Sequence, residues 1–157
     1  MVGAAKNAER LLAFFRENNQ PVFHIQHIFN DPKAGFFLPE TKGAEIHFSV
    51  FPHDDELLIE KHYPNSFRET MLLDALQEAG VDQVVICGAM SQMCVEATAR
   101  AAVDYGLKTT VVHDACAAGQ LRFDGGEIPI AHIHGTAMAS LAWGYATITS
   151  TDEFLMV

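Results

Sequence analysis

Three things are scarce in this chain of 157 residues: cysteine, positive charge and long apolar runs. Three cysteines, Cys87, Cys94 and Cys116, are too few and too odd in number for a disulfide framework. The reducing cytoplasm is the compartment they suggest. Ten Lys and Arg stand against 20 Asp and Glu, a formal net charge of -10. That balance argues against a nucleic-acid backbone or an anionic membrane surface as partner. No apolar run approaches the length that spans a bilayer, and residues 1–20 carry charges at helical spacing where a signal peptide would need an apolar core. Internal repeats and low-complexity segments are also missing.

Two kinds of site lack the patterns that would mark them. Gly88 to Gln92 lacks the second glycine and the lysine of a phosphate-binding loop. Eight histidines invite a metal, yet HExxH-type spacing is absent. His24 and His27 are three apart in an expected strand, which sends them to opposite faces. His132 and His134 are two apart in an expected helix, which separates them too. Neither a metal nor another cofactor is expected.

What is present is a chain of apolar strands alternating with amphipathic helices. Ala8, Leu11, Leu12 and Phe15 fall at i, i+3, i+4 and i+7, predicting a helix from about Ala4 to Asn18. Strands are expected at Val22–Ile28, Leu57–Lys61, Val84–Cys87, Lys108–His113 and Tyr145–Thr149. Further helices are expected after an Asn65 or Ser66 cap up to Gly80, from Gln92 to Tyr105, and over Ile130–Leu141. Residues 29–56 form a long aromatic loop, and Asp114–Gly119 reads as a turn. The order implies one α/β domain over residues 1–157, its parallel sheet covered on both faces. Sites in such sheets lie at the carboxyl ends of strands, where Lys61, the stretch from Gly88 to Cys94, and Asp114 would share a cleft.

Cys94 is the candidate nucleophile. It sits in the first turn of a helix that follows a buried strand, where unpaired N–H groups and the helix dipole favour negative charge. The competing reading is a small core residue. Lys61 could lower the thiol's pKa by proximity, or relay a proton if burial depressed its own. Cys87 is expected in the core, and Cys116 in packing.

The stretch from Gly88 to Val95, continued by Ala97 to Ala102, resembles the nucleophile segment of the isochorismatase-like cysteine hydrolases, a family including nicotinamidases and N-carbamoylsarcosine amidohydrolases. Ile59-Glu60-Lys61 with Asn65-Ser66-Phe67 resembles its lysine segment, and Thr110 to Ala117 the strand after the nucleophile helix. Phe36 to Pro39 with Gly43 to His47 resembles one subgroup. The resemblance implies a three-layer α/β/α fold with a mainly parallel, Rossmann-like sheet. It implies Cys94 as nucleophile, Lys61 as its charged partner, a cis Ala89–Met90 peptide, and an oxyanion hole from the N–H groups of Met90 and Cys94. Phe36, Phe67 and Met93 would be pocket walls or packing. The implied reaction is hydrolysis of a small amide or related C–N bond through a Cys94 thioester, by a cytoplasmic homo-oligomer, a dimer or tetramer. Two other readings stand beside it: a non-catalytic truncated relative that binds a small ligand or partner, and an isochorismate-type vinyl-ether hydrolase.

One departure goes with the match. The family opens with a central strand ending in an aspartate, whereas this chain starts in the helix that follows such a strand. Asp31, Asp54, Asp55 and Asp114 do not end a strand at that place. The expectation is a sheet without its first strand, through truncation, a strand from another chain, or a scaffold that no longer catalyses.

Overall fold

Val111 and Val112 are sequence neighbours, both fully buried, and their side chains point to opposite faces of one strand. Val111 packs with Val95, Ala99, Met138 and Leu141; Val112 packs with Leu11, Ala115, Phe154 and Leu155. A strand apolar on both faces needs helices on both, and the rest of the chain supplies them.

The computed structural model describes residues 2–156; Met1 and Val157, the ends of the expected domain, lie outside the described residues. In chain order the elements are α1 (Val2–Glu17), β1 (Phe23–His27), β2 (Leu57–Lys61), α2 (Leu72–Glu78), β3 (Gln83–Ala89), a π-helical turn (Ser91–Val95), α3 (Glu96–Asp104), β4 (Lys108–Ala117), β5 (Leu121–Phe123), β6 (Gly126–Ile128), α4 (Ile130–Gly144), β7 (Thr147–Thr149) and α5 (Thr151–Leu155). Single 3-10 turns at Pro32–Ala34 and Phe48–Val50 punctuate the long loop. The architecture is three-layered. Helices α1 and α5 cover one face of β4, and α3 and α4 the other.

The parallel strands fall into two groups. β1 pairs with β2 from Phe23↔Leu57 to His27↔Lys61, and β3–β4–β7 form a three-stranded sheet. Among the described residues nothing pairs β1 to β3. Between them lies a cavity of about 560 Å³, lined by Phe23, His24 and Ile25 on one side and by Val84 through Ala89 on the other. Successive residues of a strand alternate between its faces, so an unbroken run on the wall marks the strand's open edge rather than a face. Leu11, Leu12 and Phe15 of α1 close the cavity on one side, and Phe67, Leu72 and Leu76 on the other. The two sheets are bridged by a shared core in which Ile59 and Phe67 meet Leu76 and Ala102, with Ile25 and Val84 packed against it.

Four expectations are corrected. The helix after Asn65 begins only at Leu72, because the polar side chains before it are used locally: Asn65 Oδ1 accepts from the Phe67 N–H at 2.9 Å, and the Ser66 hydroxyl pairs with Thr98 Oγ1 at 2.8 Å. β4 runs on through Ala117, into the predicted turn, because a bulge shifts its register: Ile86 faces Val111, but Gly88 faces Cys116. The hairpin β5–β6 occupies a stretch with no predicted strand, closed by Asp124 and Gly125, both at positive φ. Cys87 leaves the expected core: it lines the cavity between the sheets and is exposed there.

Candidate active site

β1 and β2 run parallel and in register, so their last residues, His27 and Lys61, lie side by side at the carboxyl end. Lys61 is 3% exposed. Its ammonium donates to Tyr63 O at 2.9 Å and Pro64 O at 3.0 Å, and lies 3.1 Å from His27 Nδ1. The Pro64 carbonyl is held in turn by α3, where Thr98 Oγ1 donates to it at 3.4 Å and accepts the Ser66 N–H at 3.0 Å. A buried cation is tolerated when all its donors are engaged, and three acceptors engage the three of Lys61.

β3 delivers the other half of the site. The strand ends in a cis peptide between Ala89 and Met90, and the chain then winds into the π-helical turn. Met90 O accepts from the N–H groups of Met93 at 3.0 Å and Val95 at 3.2 Å, the second being the i→i+5 bond of that geometry. Fully buried Ser91 ties the turn to α4, its hydroxyl 2.9 Å from His134 Nδ1. Gln92 ties it to the segment after β4, donating to Gly119 O at 3.4 Å and accepting the Gly119 N–H at 3.3 Å. So anchored, the turn presents Cys94, partly buried, with Sγ 3.9 Å from His27 Nδ1. Cys94 and Lys61 both line the cavity between the sheets.

His27 therefore joins the two predicted residues, although by its spacing it is only a possible metal ligand. Its signal was positional: like Lys61, it ends a parallel strand. Burial first, then the charges of Lys61 and His62, lower its pKa to about 4. Phe29 and Phe37 flank the ring at centroid distances of 4.3 and 5.7 Å.

The predicted pocket walls separate. Phe67 is buried beneath the cavity, its ring 5.1 Å from that of Tyr105, whereas Phe36 is 51% exposed and packs edge-on against Phe29 and Phe37. Met93 is 42% exposed beside Cys94. Asp114 does not share the cleft as expected. It falls in the bulged part of β4 and turns to α5, where Oδ1 accepts the Thr151 N–H at 2.8 Å and hydroxyl at 2.7 Å. Cys116 is buried in packing, and burial holds its thiol up at about 12. His24 and His27 do diverge, His24 Nε2 lying 2.8 Å from Glu56. Among the described residues no three His, Cys, Asp or Glu side chains are grouped to hold a metal ion, and no helix is long and apolar enough to cross a membrane.

A cysteine on the turn leaving one parallel strand and a buried lysine ending another thus line one cavity of a three-layer α/β fold. The chain belongs to the isochorismatase family: the Isochorismatase domain matches residues 1–153. It is 49% identical over 152 residues to the uncharacterized isochorismatase family protein YddQ of Bacillus subtilis, covering 97% of this chain and 84% of that protein. An isochorismatase structure from Pseudomonas putida superposes with a TM-score of 0.91 at 37% identity, covering 98% of this chain and 78% of that one. The N-carbamoylsarcosine amidase of Thermoplasma acidophilum does so with 0.81 at 25% identity, covering 96% and 84%. The protein is thus an isochorismatase-family hydrolase with amidases among its relatives.

Proposed function

We propose that this hydrolase cleaves a small amide or related C–N bond through a thioester on Cys94. The observation that carries the reading is the meeting of Cys94, His27 and the Lys61 ammonium at the end of one cavity. A thiol is the group needed for acyl transfer, since its sulfur can add to a carbonyl and leave again. The amidase among the similar structures supports a C–N bond as the target. Cleavage of a vinyl ether does not need this thiol, which ranks that alternative lower. In the proposed course Sγ attacks the carbonyl and the N–H groups of Met90 and Cys94 receive the developing oxyanion. The amine departs, water hydrolyses the thioester, and Lys61 holds the negative charge at sulfur by its fixed positive one.

One observation favours the second reading, a scaffold that binds without catalysing. Among the described residues Lys61 forms no ion pair with a carboxylate. The open edges of β1 and β3 suit one further extended strand, from this chain or another, whose end would bring such a group to Lys61. Residues 1–157 are read as one unit, in the cytoplasm. Trp143 (92% exposed) and Phe123 (80% exposed) are surfaces on which copies could associate.

The test is turnover of a panel of small primary amides and carbamoyl compounds, with Cys94→Ser as control. Hydrolysis by the parent and a loss of at least about a hundredfold in Cys94→Ser are expected. A parent that turns over nothing until a strand ending in aspartate is added before Val2 would instead establish the binding scaffold. Hydrolysis that survives Cys94→Ser would sink the thioester.

A further inference from the structure

β3 leaves the sheet at Ala89, yet its pairing with β4 continues for one more rung. Beyond the bulge Gly88 pairs with Cys116 and Ala89 with Ala117. Two residues further on stands Gly119, whose backbone would meet the next residue of β3 had that strand run on. The chain has instead wound into the π-helical turn, and the Gln92 side chain takes the strand's place. Its Nε2 donates to Gly119 O at 3.4 Å, and its Oε1 accepts the Gly119 N–H at 3.3 Å. A primary amide carries both an acceptor and donors, so it satisfies a peptide's two groups as another peptide would.

Met90 uses the same spot. Its Sδ accepts from Gln92 Nε2 at 3.9 Å and lies against the Gly119 backbone. A Cβ on residue 119 would stand 2.5 Å from that sulfur and 3.4 Å from Gln92 Nε2. Glycine at 119 is therefore what lets the thioether and the amide lie on the backbone together.

We propose that Gln92, through this rung, is a positioning residue for the oxyanion hole assigned to the Met90 and Cys94 N–H groups, an assignment that rests on the hydrolase reading above. Gln92 stands midway between those two residues in the turn, so fixing it to the end of β4 fixes the backbone on both sides. Ser91 fixes the turn from the opposite direction, its hydroxyl 2.9 Å from His134 Nδ1 on α4. Donors held in place before charge develops on the oxygen are the effective ones, and a misplacement of about 1 Å can cost about a hundredfold in rate. The role therefore lies in steps that make an oxyanion, and leaves steps that use only the thiol unaffected.

Two reactions of Cys94 separate these. Alkylation by iodoacetamide displaces iodide from a saturated carbon and makes no oxyanion, whereas amide hydrolysis makes one. Gln92→Met keeps the length of the side chain and loses both hydrogen bonds. Its kcat on the best amide of the panel should fall about ten- to hundredfold with KM within about twofold, while alkylation stays within about twofold of the parent. Gln92→Glu adds a pH readout. Its protonated carboxyl donates to Gly119 O and accepts the N–H as the amide does, but its carboxylate has no donor for that carbonyl. Activity relative to the parent should thus fall as pH rises through the carboxyl's pKa, at about 4.3 or above where burial raises it. Amide hydrogen exchange reads the rung without any substrate: in Gln92→Met the Gly119 amide and those of the turn should exchange at least about tenfold faster, with α1 and α2 unchanged. An unchanged kcat, or kcat and alkylation falling together, overturns the assignment and leaves the hydrolase reading intact. Unchanged exchange overturns the rung itself, whether or not any amide is hydrolysed. A parent that hydrolyses no amide overturns the hydrolase reading, and exchange alone then decides whether the rung holds the turn.

Discussion

Glu56, one residue before β2, ties the end of α1 to β1. Its carboxylate accepts from Arg16 Nε and Nη2, both at 2.7 Å, and from the His53 N–H at 2.8 Å, with His24 Nε2 also at 2.8 Å. Arg16 lies in the last turn of α1 and His24 on β1, so one carboxylate links the two elements. The hydrogen bond from Arg16 is the main reason its pKa falls well below the usual carboxylate range, against a desolvation cost that raises it. Glu56→Gln keeps the shape and removes the charge. Breaking a buried pair costs about 3–5 kcal/mol, and an exposed one about 0–1 kcal/mol. With Glu56 10% and Arg16 24% exposed, the pair lies between, at about 2 kcal/mol. At a urea dependence of about 2 kcal/mol per molar, the unfolding midpoint at pH 7 should fall by about 1 M. The pH dependence follows from the sign of the shift. The folded carboxylate has a lower pKa than the unfolded one at about 4.3, so its stabilisation is complete above that value and lost as pH falls. Below about pH 4 the parent should lose up to about 1.4 kcal/mol per pH unit from this group, and the variant none. Far-UV circular dichroism is the suitable probe, because Trp143 is 92% exposed and reports unfolding poorly. Equal midpoints at pH 7, or midpoints that fall in parallel on acidification, would refute the reasoning.

Leu141 is fully buried between α4 and β4, in contact with a core that includes Val111 and Met138. Leu141→Ala should cost about 2–5 kcal/mol and lower Tm by about 5–15 °C, measured by calorimetry; a fall of under about 2 °C would mean the core closes around the gap. Asp114→Ala removes the acceptor of both the Thr151 N–H and its hydroxyl. A loss of about 1–2 kcal/mol is expected, with faster amide exchange over α5 and little change around Cys94. Acceleration centred on Cys94 instead would return Asp114 to the site.

Local signals made much of the fold legible. The apolar face of α1 is written at helical spacing in Ala8, Leu11, Leu12 and Phe15, and β2 was readable to the residue. Cys94 and Lys61 were legible through where they stand, on a turn and at a strand end. The failures share a cause. Ala115 and Cys116 look like turn residues until Gly88 pairs with Cys116 across the bulge, and Asp114 looks like a site residue until α5 reaches it. Asn65 and Ser66 looked like caps because a sequence does not show that Phe67 and Thr98 compete for them.

By itself the sequence determined most of the helices and parallel strands, which faces are apolar, and that a cysteine and a lysine sit where parallel α/β proteins place their chemistry. Those are properties of spacing and side-chain chemistry within a few residues. Only the tertiary structure decided that β1 and β3 face one another across a cavity, and that His27 stands between Lys61 and Cys94. The reason is that strand pairing and the closing of a site join residues far apart in the chain. Their meeting depends on how whole elements pack, which no local pattern records.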